Sequence, residues 1–106
     1  NYDPVSVASC AALLERHGLR RKVMVDCSHG NSGKDALRQP AVFRDCLDQA
    51  SRRNSPMVGM MLESNLKEGR QDIPKGGKGR LRYGVSVTDA CLGWADTERL
   101  IVSSLA

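Results

Sequence analysis

Two short apolar runs constrain this chain most. Val23-Met24-Val25 leads into Asp26-Cys27-Ser28-His29, and Met57-Val58-Gly59-Met60-Met61-Leu62 leads into Glu63-Ser64-Asn65. Each is too short for a full helix, and neither alternates polar with apolar. A strand wetted on one face alternates; a strand covered on both faces does not, and continuous runs of this kind belong to parallel sheets. The expectation is therefore two parallel strands, Val23–Ser28 and Met57–Leu62, each ending in polar groups. In parallel α/β architectures the carboxyl ends of the strands are where ligands bind.

Helical patterns separate the strands. Asp3-Pro4 reads as an N-cap followed by proline at the first helical position, and Val7, Cys10, Ala11 and Leu14 recur at helical spacing before Gly18. This predicts a helix over about residues 4–17, with His17 as a surface or capping histidine in its last turn. Asp35–Gln39 reads as an irregular turn. Pro40 then opens a second helix with Val42, Phe43, Cys46, Leu47 and Ala50 on its apolar face and Arg44, Asp45 and Asp48 on the other. Pro56 lies beyond its end. After a long Gly- and Lys-rich loop, Lys67–Ser86, Asp96 is expected to cap a last helix carrying Leu100, Ile101 and Leu105. Strands alternating with helices give an α/β fold built from βαβ units. Two parallel strands cannot alone bury both faces or satisfy both edges. With Asn1 at one end and a helical pattern running to Ala106 at the other, the 106 residues are expected to be a piece of a longer polypeptide.

Composition narrows the function classes. With 41% hydrophobic but only 4% aromatic residues, any core is aliphatic and thin. No apolar run approaches the roughly 20 residues that span a bilayer, and no signal-peptide pattern opens the chain, so no membrane partner is expected. Cys10, Cys27, Cys46 and Cys91 stand singly, which disfavours a zinc ribbon or disulfide framework and suits reduced thiols in a cytoplasmic protein. The charge of +4 is concentrated at Lys67, Arg70, Lys75, Lys78, Arg80 and Arg82. Only Tyr83 offers a stacking ring there, so this segment reads as a solvated loop with no nucleic-acid partner. A non-catalytic basic binding module is the alternative that charge alone would allow.

His29, Glu63 and Asp89 are the candidate metal ligands. The tips of adjacent parallel strands lie side by side, so a His ending one and a Glu ending the next can converge. An imidazole with two carboxylates suits a divalent ion such as Mn, Fe, Co or Zn. The other readings are a helix cap or loop carboxylate for Glu63 and a capping residue beside Thr88 for Asp89. Strict alternation puts Val23, Val25, Cys27 and His29 on one face and Met57, Gly59, Met61 and Glu63 on one face of their strand. If the strand stays regular, that places Asp26 on the opposite, helix-facing side, where a carboxylate needs a partner; either the strand kinks near its end or the backbone or a basic side chain bonds Asp26. Gly30-Asn31-Ser32-Gly33-Lys34 imitates a phosphate loop, but Ser28 stands where the first glycine is required and Asp35 where Ser or Thr must follow the lysine.

Three stretches carry a family resemblance: Asp26-Cys27-Ser28-His29-Gly30-Asn31-Ser32; Met61-Leu62-Glu63-Ser64-Asn65-Leu66 with Glu68-Gly69; and Tyr83-Gly84 with Ser86-Val87-Thr88-Asp89-Ala90-Cys91-Leu92-Gly93-Trp94. Together they resemble the C-terminal third of type I DAHP synthase (3-deoxy-D-arabino-heptulosonate 7-phosphate synthase). The resemblance implies one (β/α)8 TIM barrel domain, of which residues 1–106 supply the sixth helix, seventh strand, seventh helix, eighth strand and eighth helix. It implies a transferase that condenses phosphoenolpyruvate with erythrose 4-phosphate at the entry to the shikimate pathway and aromatic amino-acid biosynthesis. A homo-oligomer is expected. It further implies His29, Glu63 and Asp89 as metal ligands, with no other catalytic residue assigned. The family's fourth ligand, a cysteine, its main phosphoenolpyruvate-binding Arg and Lys residues and most of its feedback site come from earlier strands. Cys27 is expected to be a packed thiol, and the isolated fragment inactive. The related KDO 8-phosphate synthase shares the strand-end His and Glu, but the Thr88–Trp94 motif argues against it.

Overall fold

A computed structural model describes residues 1–105; Ala106, to which the helical pattern runs, lies outside the described residues. Helix α1, Pro4–Arg16, starts where the sequence places it. The Asp3 carboxylate accepts hydrogen bonds from the Ser6 amide at 3.0 Å and the Ser6 hydroxyl at 2.7 Å. It ends at His17, an exposed C-cap. Gly18 follows at φ +69°, and the Gly18 and Leu19 amides donate to the Glu15 and Leu14 carbonyls at 3.0 and 2.9 Å. Such a left-handed closure strongly favours glycine. Of the expected apolar face, Val7 and Ala11 are buried, Leu14 is half-buried, and Cys10 faces solvent.

Strand β1, Val23–Asp26, pairs in parallel with β2, Met57–Met61, in the register Met24↔Gly59, Val25↔Met60 and Asp26↔Met61. Between them run a single helical turn, α2 (His29–Ser32), a 3-10 turn over Ala36–Arg38 in place of the irregular segment, and α3 (Gln39–Ala50), with proline in its first turn. Helices α1 and α3 pack on one sheet face: Val7, Val42 and Cys46 meet Val25, Cys27 and Met57, flanked by Tyr2, Phe43, Met60 and Leu62. Both strands are shorter than the expected Val23–Ser28 and Met57–Leu62, and a register irregularity at Val23/Met24 breaks strict alternation. Consequently Met57 and Met60, not Met57 and Gly59, are the β2 residues that pack with the helices.

The opposite face of the sheet is open, and Met24 is 67% exposed there. The radius of gyration, 16.5 Å, exceeds the roughly 13 Å of a compact domain of this length, and the extents are 52 × 33 × 19 Å. The doubly covered strands that the apolar runs call for are thus covered on one side within these residues.

Beyond β2 the chain stays extended and forms β3, Ser64–Asn65, parallel to β4, Leu92–Gly93. Helix α4, Trp94–Ser103, follows directly. Its N-cap is Gly93, not Asp96: strand pairing holds Gly93 extended (φ −73°, ψ 157°), so the helix begins at the next residue. Asp96 lies in the first turn, where a carboxylate favours the helix dipole, and pairs with Arg99 at 3.1 Å. Thr97 and Leu100 are the buried face of α4; Ile101 and Leu105 are exposed. The Lys67–Ser86 loop is tied rather than free. The Gln71 side chain accepts from the Arg82 amide at 2.9 Å and donates to the Arg82 and Val85 carbonyls at 2.8 and 2.9 Å. Among the described residues no helix is long and apolar enough to cross a membrane.

Candidate metal centre

The strand β1 ends because Asp26 turns it. One Asp26 oxygen accepts the Ser28 amide at 2.8 Å, an Asx turn that diverts the backbone from the sheet. The other lies 2.7 Å from His29 Nδ1, and the Asn31 side chain donates to the Asp26 carbonyl at 2.8 Å. His29 itself sits at φ +51°, an uncommon conformation for a residue with a Cβ, held by these contacts.

Of the alternatives for Asp26, the kinked strand end is the one found, with a backbone amide bonded to the carboxylate. The helix-facing side of β1 carries Val25 and Cys27 in the core, so Asp26 lies across from the helices, pairing with Met61 and sharing its side with His29. Alternation fails at His29 because the chain has left the strand two residues earlier. The partner that a carboxylate there requires is the histidine.

Glu63 enters from the end of β2. The Ser28 hydroxyl donates to its Oε2 at 2.8 Å, leaving Oε1 3.4 Å from His29 Nε2. Asp89 comes from the turn before β4. Arg70 Nε donates to the Thr88 carbonyl at 2.9 Å, and Gly69 bridges Cys91, so the turn is anchored on both sides. Asp89 Oδ2 lies 3.3 Å from the same His29 Nε2. The three sequence candidates therefore converge, with one donor atom from each within 4.8 Å of the others. His17 is at the far end of α1 and takes no part. Cys27 is buried against Cys46, and burial pushes its thiol up to about 12, so it is a packed thiol and not a thiolate.

Electrostatically the cluster is acidic. Asp26, Glu63 and Asp89 surround one imidazole, and among the described residues none of the three forms an ion pair with Lys or Arg. The Asp26 carboxylate first, then Glu63 and Asp89, raise the His29 pKa above its ordinary value, against a smaller opposing effect of burial. With Nδ1–H given to Asp26, the lone pair of Nε2 points at two carboxylates, an arrangement that calls for a proton or a metal ion. Donors held about 2.0–2.2 Å from a tetrahedral ion are about 3.3–3.6 Å apart. The separations of 3.3 and 3.4 Å at Nε2 fit that spacing.

Two contributors to this geometry are not picked out by the sequence patterns. Gln39, the first residue of α3, is fully buried, and its side chain bonds the Glu63 backbone. Ser28 could have been suspected from its place beside His29, although its target, Glu63, is set only by the sheet register.

The sequence pattern that describes the DAHP synthetase I family matches residues 1–102. The chain belongs to this family. It is 48% identical to the phenylalanine-inhibited phospho-2-dehydro-3-deoxyheptonate aldolase of Saccharomyces cerevisiae over 95% of this chain and 29% of that protein. The Tyr-sensitive enzyme of Escherichia coli is also 48% identical, over 95% of this chain and 28% of that one. The structure of the phospho-2-dehydro-3-deoxyheptonate aldolase of Francisella tularensis superimposes with a TM-score of 0.88 at 40% identity, over 98% of this chain and 29% of that one. The DAHP synthetase I chain described here thus spans under a third of the length of each of these three relatives.

Proposed function

We propose that these residues form the C-terminal segment of a DAHP synthase barrel, in which His29, Glu63 and Asp89 hold a divalent metal ion. The reaction is the condensation of phosphoenolpyruvate with erythrose 4-phosphate, with release of phosphate, at the entry to aromatic amino-acid biosynthesis. In this reading α1, β1, α3, β2 and α4 are the sixth helix, seventh strand, seventh helix, eighth strand and eighth helix of a single (β/α)8 domain. Earlier strands cover the open sheet face, and supply a cysteine ligand and most of the phosphoenolpyruvate-binding groups. The assembly is a cytoplasmic homo-oligomer.

The observation that carries the reading is the convergence of one imidazole nitrogen and two carboxylates from three separate segments: His29 and Glu63 beyond the carboxyl ends of the parallel strands β1 and β2, and Asp89 from the turn before β4. Ligand sites of barrels lie at that edge. A nitrogen with carboxylate oxygens suits Mn, Fe, Co or Zn. When bound, such an ion supplies Lewis acidity to the aldehyde oxygen or to an attacking water. The protein's own part is positional. Asp26 holds the Nδ1 proton and so keeps Nε2 free, and Ser28 turns Glu63 so that Oε1 faces the histidine.

The test is Glu63→Ala in the complete polypeptide, with metal content read by elemental analysis. Loss of bound metal is expected; undiminished metal overturns the ligand assignment. The pure 106-residue fragment is expected to release no phosphate from the two substrates, and clear turnover would sink that part of the reading.

A further inference from the structure

We propose that Gln39 is a positioning residue for Glu63, an inference that rests on the metal reading above. Gln39 is 0% exposed, an unusual burial for a primary amide. It makes a paired contact with one backbone residue: Oε1 accepts the Glu63 amide at 2.8 Å, and Nε2 donates to the Glu63 carbonyl at 3.1 Å. A side-chain amide used in this way imitates a neighbouring strand. It does so where one is missing: the β1–β2 ladder ends at Asp26↔Met61, while the β3–β4 ladder begins at Ser64↔Leu92. Glu63 lies in the gap between the two ladders. Leu92 also donates to the Glu63 carbonyl, at 2.9 Å, but for the Glu63 amide Gln39 is the acceptor found.

Fixing the backbone of Glu63 fixes the root of its side chain. The Ser28 hydroxyl then holds Oε2 at 2.8 Å, and Oε1 is directed to His29. The side-chain bonds of Gln39 go to the Glu63 backbone and not to the donor atoms, so its effect passes through Glu63. Its place at the start of α3 links the helix directly to the site. A residue needed only for packing there would be apolar; the paired bonds are what an apolar side chain cannot supply.

The experiment is Mn²⁺ titration by calorimetry into metal-stripped complete polypeptide, comparing wild type with Gln39→Met and Gln39→Glu, alongside thermal unfolding. Gln39→Met keeps the approximate shape and removes both bonds; Gln39→Glu keeps an acceptor for the Glu63 amide. Gln39→Met is expected to weaken Mn²⁺ binding by about 10–100-fold, the usual range for partners of metal ligands, and Gln39→Glu by less. The substrate KM values should move less than the metal requirement. A folded Gln39→Met protein whose Mn²⁺ affinity stays within about twofold of wild type overturns the proposal, even if its melting temperature falls. Should Gln39→Met fail to fold, Gln39→Leu, which also removes both bonds, carries the test on the same criterion. Glu63→Gln separates the two readings. If it keeps its metal, the ligand assignment fails; if it loses metal while the Gln39 variants do not, only the positioning role fails.

Discussion

Asp26 offers the sharpest perturbation, because its two oxygens have two different jobs. Oδ1 accepts the Ser28 amide at 2.8 Å and Oδ2 meets His29 Nδ1 at 2.7 Å, so both oxygens act as acceptors of N–H groups. Asparagine has one acceptor oxygen and one donor NH₂. In Asp26→Asn the NH₂ must therefore face either the Ser28 N–H, leaving two donors opposed, or Nδ1. If it faces Nδ1, that nitrogen becomes the acceptor and the ring proton moves to Nε2, the atom aimed at Glu63 and Asp89. A protonated Nε2 cannot bind a metal. The isosteric change is thus expected to do more harm than removing the group.

Asp26→Ala frees the ring and loosens the turn without enforcing the wrong tautomer. Its metal affinity should fall by about 10–100-fold, as for other outer partners of ligating histidines. Asp26→Asn should fall at least as far at neutral pH. Calorimetric Mn²⁺ titration of the stripped complete polypeptide measures both, with circular dichroism confirming that the variants fold. An Asp26→Asn protein that binds Mn²⁺ like wild type would refute the tautomer argument. Affinity recovered in Asn relative to Ala would show that the oxygen contact, not the charge and both acceptors, is what matters.

Three further outcomes are expected. Gly84 sits at φ +78°, and a Cβ there would lie 2.9 Å from Leu66 Cβ, so Gly84→Ala should cost about 1–3 kcal/mol in thermal unfolding; an unchanged melting curve would refute it. Leu92 is 1% exposed between α3 and α4, and Leu92→Ala should destabilise by about 2–5 kcal/mol; a loss below about 1 kcal/mol would show that the site collapses to fill the space. With an alkylating reagent at pH 8, Cys10 should react quickly while Cys27, Cys46 and Cys91 resist. Burial raises all three of those thiols, Cys27 to about 12, so raising pH to 9 should not unmask Cys27 in the folded protein; peptide mapping showing early Cys27 labelling would contradict its packing.

How much of this was legible in the sequence depended on whether the determinant was local. Asp3-Pro4 and Gly18 bound α1 because caps act over a few residues, and Pro40 marked the start of α3 for the same reason. The continuous apolar runs gave parallel pairing, because burial on a sheet face is written in composition. What failed was extrapolation along a strand. Period-two alternation carried from Val23 to His29 assumes an unbroken pleat, and here a register irregularity and an Asx turn lie between them. A non-local contact moved the last N-cap from the expected Asp96 to Gly93, since the Leu92–Gly93 pairing that fixes Gly93 involves Ser64 and Asn65, far away in the chain.

The candidate ligands were legible for a different reason than their geometry was. His29, Glu63 and Asp89 stand out because each ends or follows an element as an isolated polar group, which sequence can show. That they meet at one imidazole nitrogen depends on Asp26, Ser28 and Gln39, which fix a turn, a carboxylate and a strand end. Asp26 acts within three positions, but Ser28 and Gln39 reach across turn, helix and sheet to Glu63, 35 and 24 positions away. The identity of a ligand is a property of one residue, while its aim is a property of the residues around it. Substitutions at the ligands should therefore abolish binding, and substitutions at the three supports should grade it.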